Sequence, residues 1–381
     1  MDTHEPSRSV IYDVIIIGGG PGGSVAGIVL ARAGLRVALL EKEVFPRDKL
    51  CGEFLSGEGY ALLKSLGLGR RLSAVGAASV GFVVVTGSKG GRYRGAAPGG
   101  AISISRFRLD MALLDEARAS GVDVFDGEAA RRVEGELSSG FVVRSNGSEI
   151  ESRAVVCAAG RHGRVINQIR GGRGRPGTRR MVAFKTHYSG PMPPGRVELH
   201  AFMGGYCGVQ RVENDLVNIC WLSRASVLRE AGGSPDSMLE YMQSQNRALR
   251  RRLERLRPRR HEFLAASPLD FSPRGPVASD VLMVGDSAGM IAPMCGDGMA
   301  MAMHSGALAA SHLEGFLTGT LPAADLLAGY ASAWKRSFLP RMRLARLLEV
   351  GMEREEWCSI GIKACNTLPA LGQWLIRKSR G

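Results

Sequence analysis

The feature that most constrains this chain is a triplet of glycines, Gly18, Gly20 and Gly23, in the spacing Gly-x-Gly-x-x-Gly. They follow YDVIII (12–17), a continuous apolar run of the kind carried by a strand buried on both faces. Small, helix-compatible residues fill 21–33, Gly34 closes them, and RVALLE (36–41) reads as the next strand. Strand, helix and strand within about 30 residues make a βαβ unit. In such a unit the first glycine permits the turn, the second lets backbone approach a diphosphate, and the third lets helix and strand pack closely. The helix start offers free N–H groups and the positive end of its dipole to the same diphosphate. Glu41 ends the second strand, 18 residues beyond Gly23, where a carboxylate can accept from a ribose diol. Gly172, Gly174 and Gly177 repeat the spacing without a preceding strand or a following helix, and read as a chance match in a Gly/Arg-rich loop.

The same stretch decides the membrane question. Val14 to Ala31 is uncharged and long enough to span a bilayer, but it holds six Gly and a Pro and follows a tail with Asp2, Glu5 and Asp13. It is expected to be strand, turn and packed helix, with no crossing. Seven scattered Cys with no C-x-x-C argue against a disulfide framework or a zinc site, and point to a reducing cytoplasm. No His or carboxylate cluster has metal-ligand spacing, so no metal is expected. The net charge of +14 over 381 residues suits an anionic partner or a phosphorylated cofactor, or a solvated Arg-rich surface.

Along the chain, strands are expected at 122–125, 141–144, 153–158 and 281–286, and helices at 59–67, 107–119 and 298–314. The Gly-rich 87–100 after VGFVVVT (80–86) suggests a hairpin, and MVAFKTHY, VELHAFM, YCGVQRV and LVNICWL (within 181–222) suggest a separate antiparallel sheet. Residues 161–180 carry seven Arg and read as an exposed excursion. The expected architecture is α/β: a Rossmann-like dinucleotide-binding domain with an inserted antiparallel β-sheet substrate domain and a helical C-terminus. The dinucleotide-binding domain is discontinuous, over 10–75, 100–185 and 275–320. The sheet domain takes 76–99 and 186–274, and helices take 321–381.

Two later motifs single out FAD among dinucleotides. VVCAAG (155–160) is a buried strand ending in small residues that let backbone approach a cofactor. Asp286 ends VLMVGD (281–286), where its carboxylate can meet ribityl hydroxyls, and Pro293-x-x-Gly296-x-Gly298 then opens a helix whose N-terminus suits negative charge on reduced flavin. Together these motifs resemble the flavoprotein superfamily with the p-hydroxybenzoate hydroxylase fold, over roughly 10–315. Within it, RDKLCGEFLS (47–56), Arg106 in SRFRLD and PMCGDGM (293–299) look like the geranylgeranyl reductase group, whose neighbours are flavin-dependent aromatic hydroxylases and halogenases. The resemblance implies that Gly18, Gly20, Gly23 and Glu41 hold the ADP half of non-covalent FAD. It places Arg106 at the phosphate or ribityl region, Ala130 at adenine, and Gly160, Asp286, Gly298 and Met299 around the rest, with Lys42 and Gly52 completing the set. The W-x-W-x-I-P segment of tryptophan halogenases is absent, the four Trp being isolated. No second dinucleotide fold is visible, so NAD(P)H visits transiently or another reductase supplies electrons.

The catalytic candidates are Cys51, matching the reductase group's Cys-Gly pair, and Cys295; each has the alternative of a small buried thiol. His187, His200 and His304 read first as core or strand histidines. The expected function is an FAD-dependent oxidoreductase acting on an apolar, isoprenoid or polyketide-like substrate, with hydride transfer to a carbon–carbon double bond favoured. A single-component monooxygenase using NAD(P)H and O₂ is the alternative, and a halogenase or a non-catalytic flavin-binding protein stands further off. Arg250, Arg251, Arg252, Arg255, Arg257, Arg259 and Arg260 have no interleaved aromatics, so nucleic acid is not expected. Anionic lipid or an acidic carrier protein suits that run better, a plain solvated face being the first reading, and 335–348 mixes basic and apolar residues suited either to a membrane surface or to packing on the flavin domain. The expected location is cytoplasmic, with contact to the inner membrane face open.

Overall fold

The computed structural model describes residues 11–161, 163–172, 181–259 and 262–379. Residues 162 and 173–180 of the Arg-rich excursion, with Gly174 and Gly177, and Arg260 lie outside them. Among the described residues there are two sheets, and each follows from its sequence pattern. The first is built on apolar runs. Tyr12–Ile17 pairs in parallel with Val37–Glu41 on one side and Glu149–Cys157 on the other, with Val14 opposite Val37 and Ala154. Asp123–Asp126 extends it past Val37–Glu41, and Val281–Met283 past Glu149–Cys157. The first strand thus sits where the strand order reverses, and in open parallel sheets ligands bind beyond the carboxyl ends at that point. The hairpin of Arg132–Glu136 and Gly140–Arg144, of which only the second strand was expected, pairs antiparallel with the first half of Glu149–Cys157.

Helix Pro21–Arg32 covers this sheet and packs on helix Gly298–Leu317 with almost no side chain between them. A Cβ on Gly22 would lie 2.8 Å from the Ala302 carbonyl oxygen, and one on Gly306 would lie 2.1 Å from the Gly22 oxygen. This contact brings the starts of both helices to one place. Helix Ala323–Met352 lies behind, burying Tyr330, Trp334, Phe338 and Met342. The apolar side of 335–348 is therefore packed into the protein rather than laid on a surface.

The second sheet runs in the order 257–258, 181–189, 216–224, 205–211, 196–202, 78–86, 92–103, 54–55. It is antiparallel except where Arg196–Phe202 meets Ala78–Thr86 in parallel. The boundaries expected at 99/100 and 185/186 fall inside single strands, Arg92–Ser103 and Met181–Ser189. Strands do not stop where composition shifts. Helices Pro235–Gln245 and Arg247–Leu253 close one face over Phe202, Ile219 and Trp221. Helices Glu355–Thr367 and Pro369–Lys378 close the other side against Tyr93 and Tyr206. No helix among the described residues is long and apolar enough to cross a membrane.

Candidate flavin and substrate site

A cavity of about 1150 Å³ lies between the two sheets, at the carboxyl ends of the parallel strands. Gly18, Gly20, Glu41, Lys42, Gly52, Arg106, Ala130, Gly160, Asp286, Gly298 and Met299 line it. The structure thus gathers almost the whole expected cofactor set. Gly23 stands just behind the wall, where an added Cβ would fall 1.9 Å from the Gly18 oxygen. Gly18 itself has φ +108°, and a Cβ there would lie 2.5 Å from the Ala158 oxygen, so turn and strand contact both exclude a side chain. Gly20 is different. A Cβ there would meet nothing nearer than the Arg106 guanidinium at 4.0 Å, so the missing side chain leaves room on the cavity side.

The helix that Gly20 caps has no side-chain cap and no acid in its first turn, leaving its N–H groups and dipole to a ligand anion. Glu41 is buried and oriented by the Gly19 N–H at 2.7 Å and the Glu43 N–H at 2.9 Å. Arg106 lies beside Gly20 in a two-bond pair with Asp110, both at 2.6 Å. Burial works against its charge, but the Asp110 carboxylate outweighs burial and raises its pKa further. Burial pushes the Lys49 amine down to about 8, with the Arg106 cation acting in the same direction. Open glycines, an uncapped helix start and converging cations fit a dinucleotide diphosphate with its flavin end toward Gly298 and Cys51.

Beyond that end the lining turns apolar: Ala183, Leu199, Tyr206, Leu222, Leu269 and Met290. Loop 47–56 crosses between the two halves and is tied to the second sheet. Asn218 donates to the Cys51 carbonyl at 3.0 Å and Gln210 to the Gly52 carbonyl at 2.5 Å. Cys51 lines the cavity, and its Sγ accepts from the Glu53 N–H at 3.3 Å. Arg106 and Lys185 both lie within electrostatic reach of its sulfur. Cys295 does not reach the wall formed by its neighbours Pro293, Met294 and Gly296; it is buried, so its catalytic assignment is not supported.

A charged cluster beneath Cys51 escaped the sequence reading. Glu53, with φ +60° and no exposure, receives the Lys185 ammonium at 2.6 Å and pairs with His187 Nε2 at 2.9 Å. Burial raises its carboxyl pKa, but Lys185 and His187 outweigh that and hold it low. Lys185 also reaches Asp48 at 3.3 Å, on the solvent side. A β-alternation KTH puts Lys185 and His187 on one face, but no sequence spacing ties them to Glu53. Cys220 also lines the cavity, and burial pushes its thiol up. His200 is buried on the opposite face, bonded to Thr86 at 2.8 Å, and His304 sits 3.4 Å from Glu58, so neither belongs to the site.

Residues 11–194 match the family described as FAD binding domain. The chain is 29% identical over 357 residues to menaquinone reductase of Mycobacterium tuberculosis, covering 88% of this chain and 84% of that one. It is 29% identical over 349 residues to conditioned medium factor receptor 1 of Dictyostelium discoideum, covering 78% of this chain; it spans 62% of that relative's length. A solved flavin-dependent brominase superposes with a TM-score of 0.82 at 21% identity, over 97% of this chain and 93% of that one. At that identity the likeness concerns fold, and it is the FAD-binding fold.

Proposed function

We propose that this chain, an FAD-dependent oxidoreductase of the hydroxylase-fold superfamily, reduces a carbon–carbon double bond in an apolar, isoprenoid or polyketide-like substrate. The observation that carries the reading is Cys51, a thiol on the cavity wall where the cofactor half meets the apolar half, with cations around it. FAD, once reduced by NAD(P)H or by a separate reductase, supplies the hydride. Tyr206, Leu222, Leu269 and Met290 hold the substrate and keep water from it. Cys51 Sγ gives the proton to the second carbon. Arg106 and Lys185 stabilise the thiolate that remains, and the half-exposed Asp48, in contact with Lys185, leads toward solvent for its reprotonation. One hydride and one proton saturate the bond, and the two electrons come from the flavin. The similarity to a menaquinone reductase supports the reductase reading, and the Cys51-Gly52 pair supports the narrower likeness to geranylgeranyl reductases.

The test is an anaerobic single turnover. Reduced protein mixed with a polyprenyl alcohol or a polyene, with no quinone present to take the electrons, is expected to reoxidise without O₂ and to yield the saturated product. Cys51→Ala should slow that step by roughly 10²–10⁴-fold, the usual worth of general-acid help, and leave flavin reduction by dithionite unchanged. Reoxidation that occurs only with O₂, leaving oxygen in the product, or halogen when bromide is present, would replace the reductase with a monooxygenase or a halogenase.

A further inference from the structure

The last two helices have one face too many. On helix Glu355–Thr367, Cys358, Ile362 and Cys365 are buried, and they join Tyr93, Tyr206 and Met290 in one apolar cluster. Helix Pro369–Lys378 is seated by Gly372, where a Cβ would lie 2.2 Å from the Tyr93 hydroxyl. Gln373 exchanges two hydrogen bonds with the Ala96 backbone, and Asn366 donates to the Arg92 carbonyl at 2.9 Å. With their inner faces fixed in this way, the helices still present Trp357, Ile360, Leu368, Leu371 and Trp374 to the outside, with Trp357 58% and Trp374 51% exposed. At 357, 360, 361 and 364 the spacing is helical, so Trp357 and Ile360 share one side with Gly361 and Ala364, and the exposed Leu368 follows at the joint to the next helix. An exposed apolar stripe with two Trp is unusual on a surface that faces only water.

The charges around the stripe say what it faces. Lys363 flanks it on the first helix, and Arg377 and Lys378 follow Trp374 on the second, all exposed. Lys89 tips the hairpin whose Gly87 and Gly91 pack on Ile362. Glu355 and Glu356 are the acids of these helices, both in the first turn beside Trp357. The whole chain carries +14. Trp and Leu rimmed by Lys and Arg match the layered chemistry of an anionic bilayer surface, where indoles settle at the headgroup level and cations meet lipid phosphates. We infer that residues 355–378 form a monotopic docking surface for anionic membrane, independent of which reaction the flavin serves.

The experiment uses the full-length yellow holoprotein and vesicles of phosphatidylcholine with or without phosphatidylglycerol. Expected are co-sedimentation with the anionic vesicles that weakens at high salt, and a blue shift of Trp emission on binding. Trp357→Ser/Trp374→Ser should lower the partition coefficient by about tenfold or more, with FAD absorbance and circular dichroism unchanged. Lys363→Glu/Lys378→Glu should remove the preference for anionic lipid. Absence of sedimentation at low salt would overturn the inference, as would equal sedimentation of wild type and the double Trp variant. A solution dimer that the Trp changes dissociate, without vesicle binding, would also overturn it and make this face an interface between copies.

Discussion

Gly20 and Gly23 stand three residues apart and are glycine for opposite reasons. The space beside Gly20 is open, so Gly20→Val should fold and lose FAD, because the branched side chain enters the room left for the diphosphate. The space beside Gly23 is taken by the Gly18 oxygen, so Gly23→Ala forces backbone apart and should cost about 3 kcal/mol or more of stability. Thermal melts and flavin absorbance of the two variants check this: one colourless with a native melt, the other poorly folded. Lys49 gives a second residue-level test. Its amine sits at about 8 because burial and Arg106 disfavour the charge. A bound diphosphate favours that charge again, so binding FAD should take up a proton near pH 8, and affinity should fall as pH rises through this region. Titration calorimetry in buffers of different ionisation enthalpy measures the proton, and Lys49→Met should abolish it.

Strand Met181–Ser189 shows what an element contributes that its sequence does not announce. Its alternation predicts a strand, and its register against Leu216–Arg224 is continuous over nine residue pairs. Yet its cavity face carries Lys185 into a buried pair with Glu53, which lies 132 residues earlier in the chain. Lys185→Met removes one partner and leaves the carboxylate buried, which typically costs about 3–5 kcal/mol. Glu53→Gln combined with Lys185→Met should recover much of that loss, and chemical denaturation of both singles and the double gives the coupling. The same contrast explains what was legible beforehand. The glycine fingerprint, Glu41, Asp286 and the Gly298 helix start are local: each follows a strand or opens a helix, so spacing suffices to bring them to the cavity. Glu53, Lys185, His187 and Cys220 meet only because the second sheet folds over loop 47–56. Cys295 was misplaced for a related reason. Sequence puts it in the right loop, but the side chain turns inward while Met294 and Gly296 face the cavity.

For the molecule as a whole, the second sheet holds carboxylates that stay ionised only while paired. Burial works against the charge of Glu198, but the neighbouring His200 ring, 3.3 Å away, and two hydrogen bonds from Arg252 outweigh it and bring its pKa to about 2. Glu53 is lowered by Lys185 and His187 in the same way. Both groups therefore bind protons more weakly folded than unfolded, where a glutamate titrates near about 4.3. Their stabilisation is full above the unfolded value and is lost as pH falls toward the folded one, the window being about pH 5 down to 2. For Glu198 this amounts to roughly 3 kcal/mol. Acid also adds charge to a chain already at +14, so protonation and self-repulsion act together. The two sheets share the flavin cavity, so opening the second sheet should release the cofactor. The expected result is that FAD fluorescence rises and the urea midpoint falls together as pH drops from 5 to about 2. Glu198→Gln should start less stable at pH 7 and show a shallower decline, because the group that titrates is gone. A wild-type urea midpoint that stays flat to pH 3, or a variant that declines as steeply as wild type, would mean that these pairs do not hold the second sheet in place.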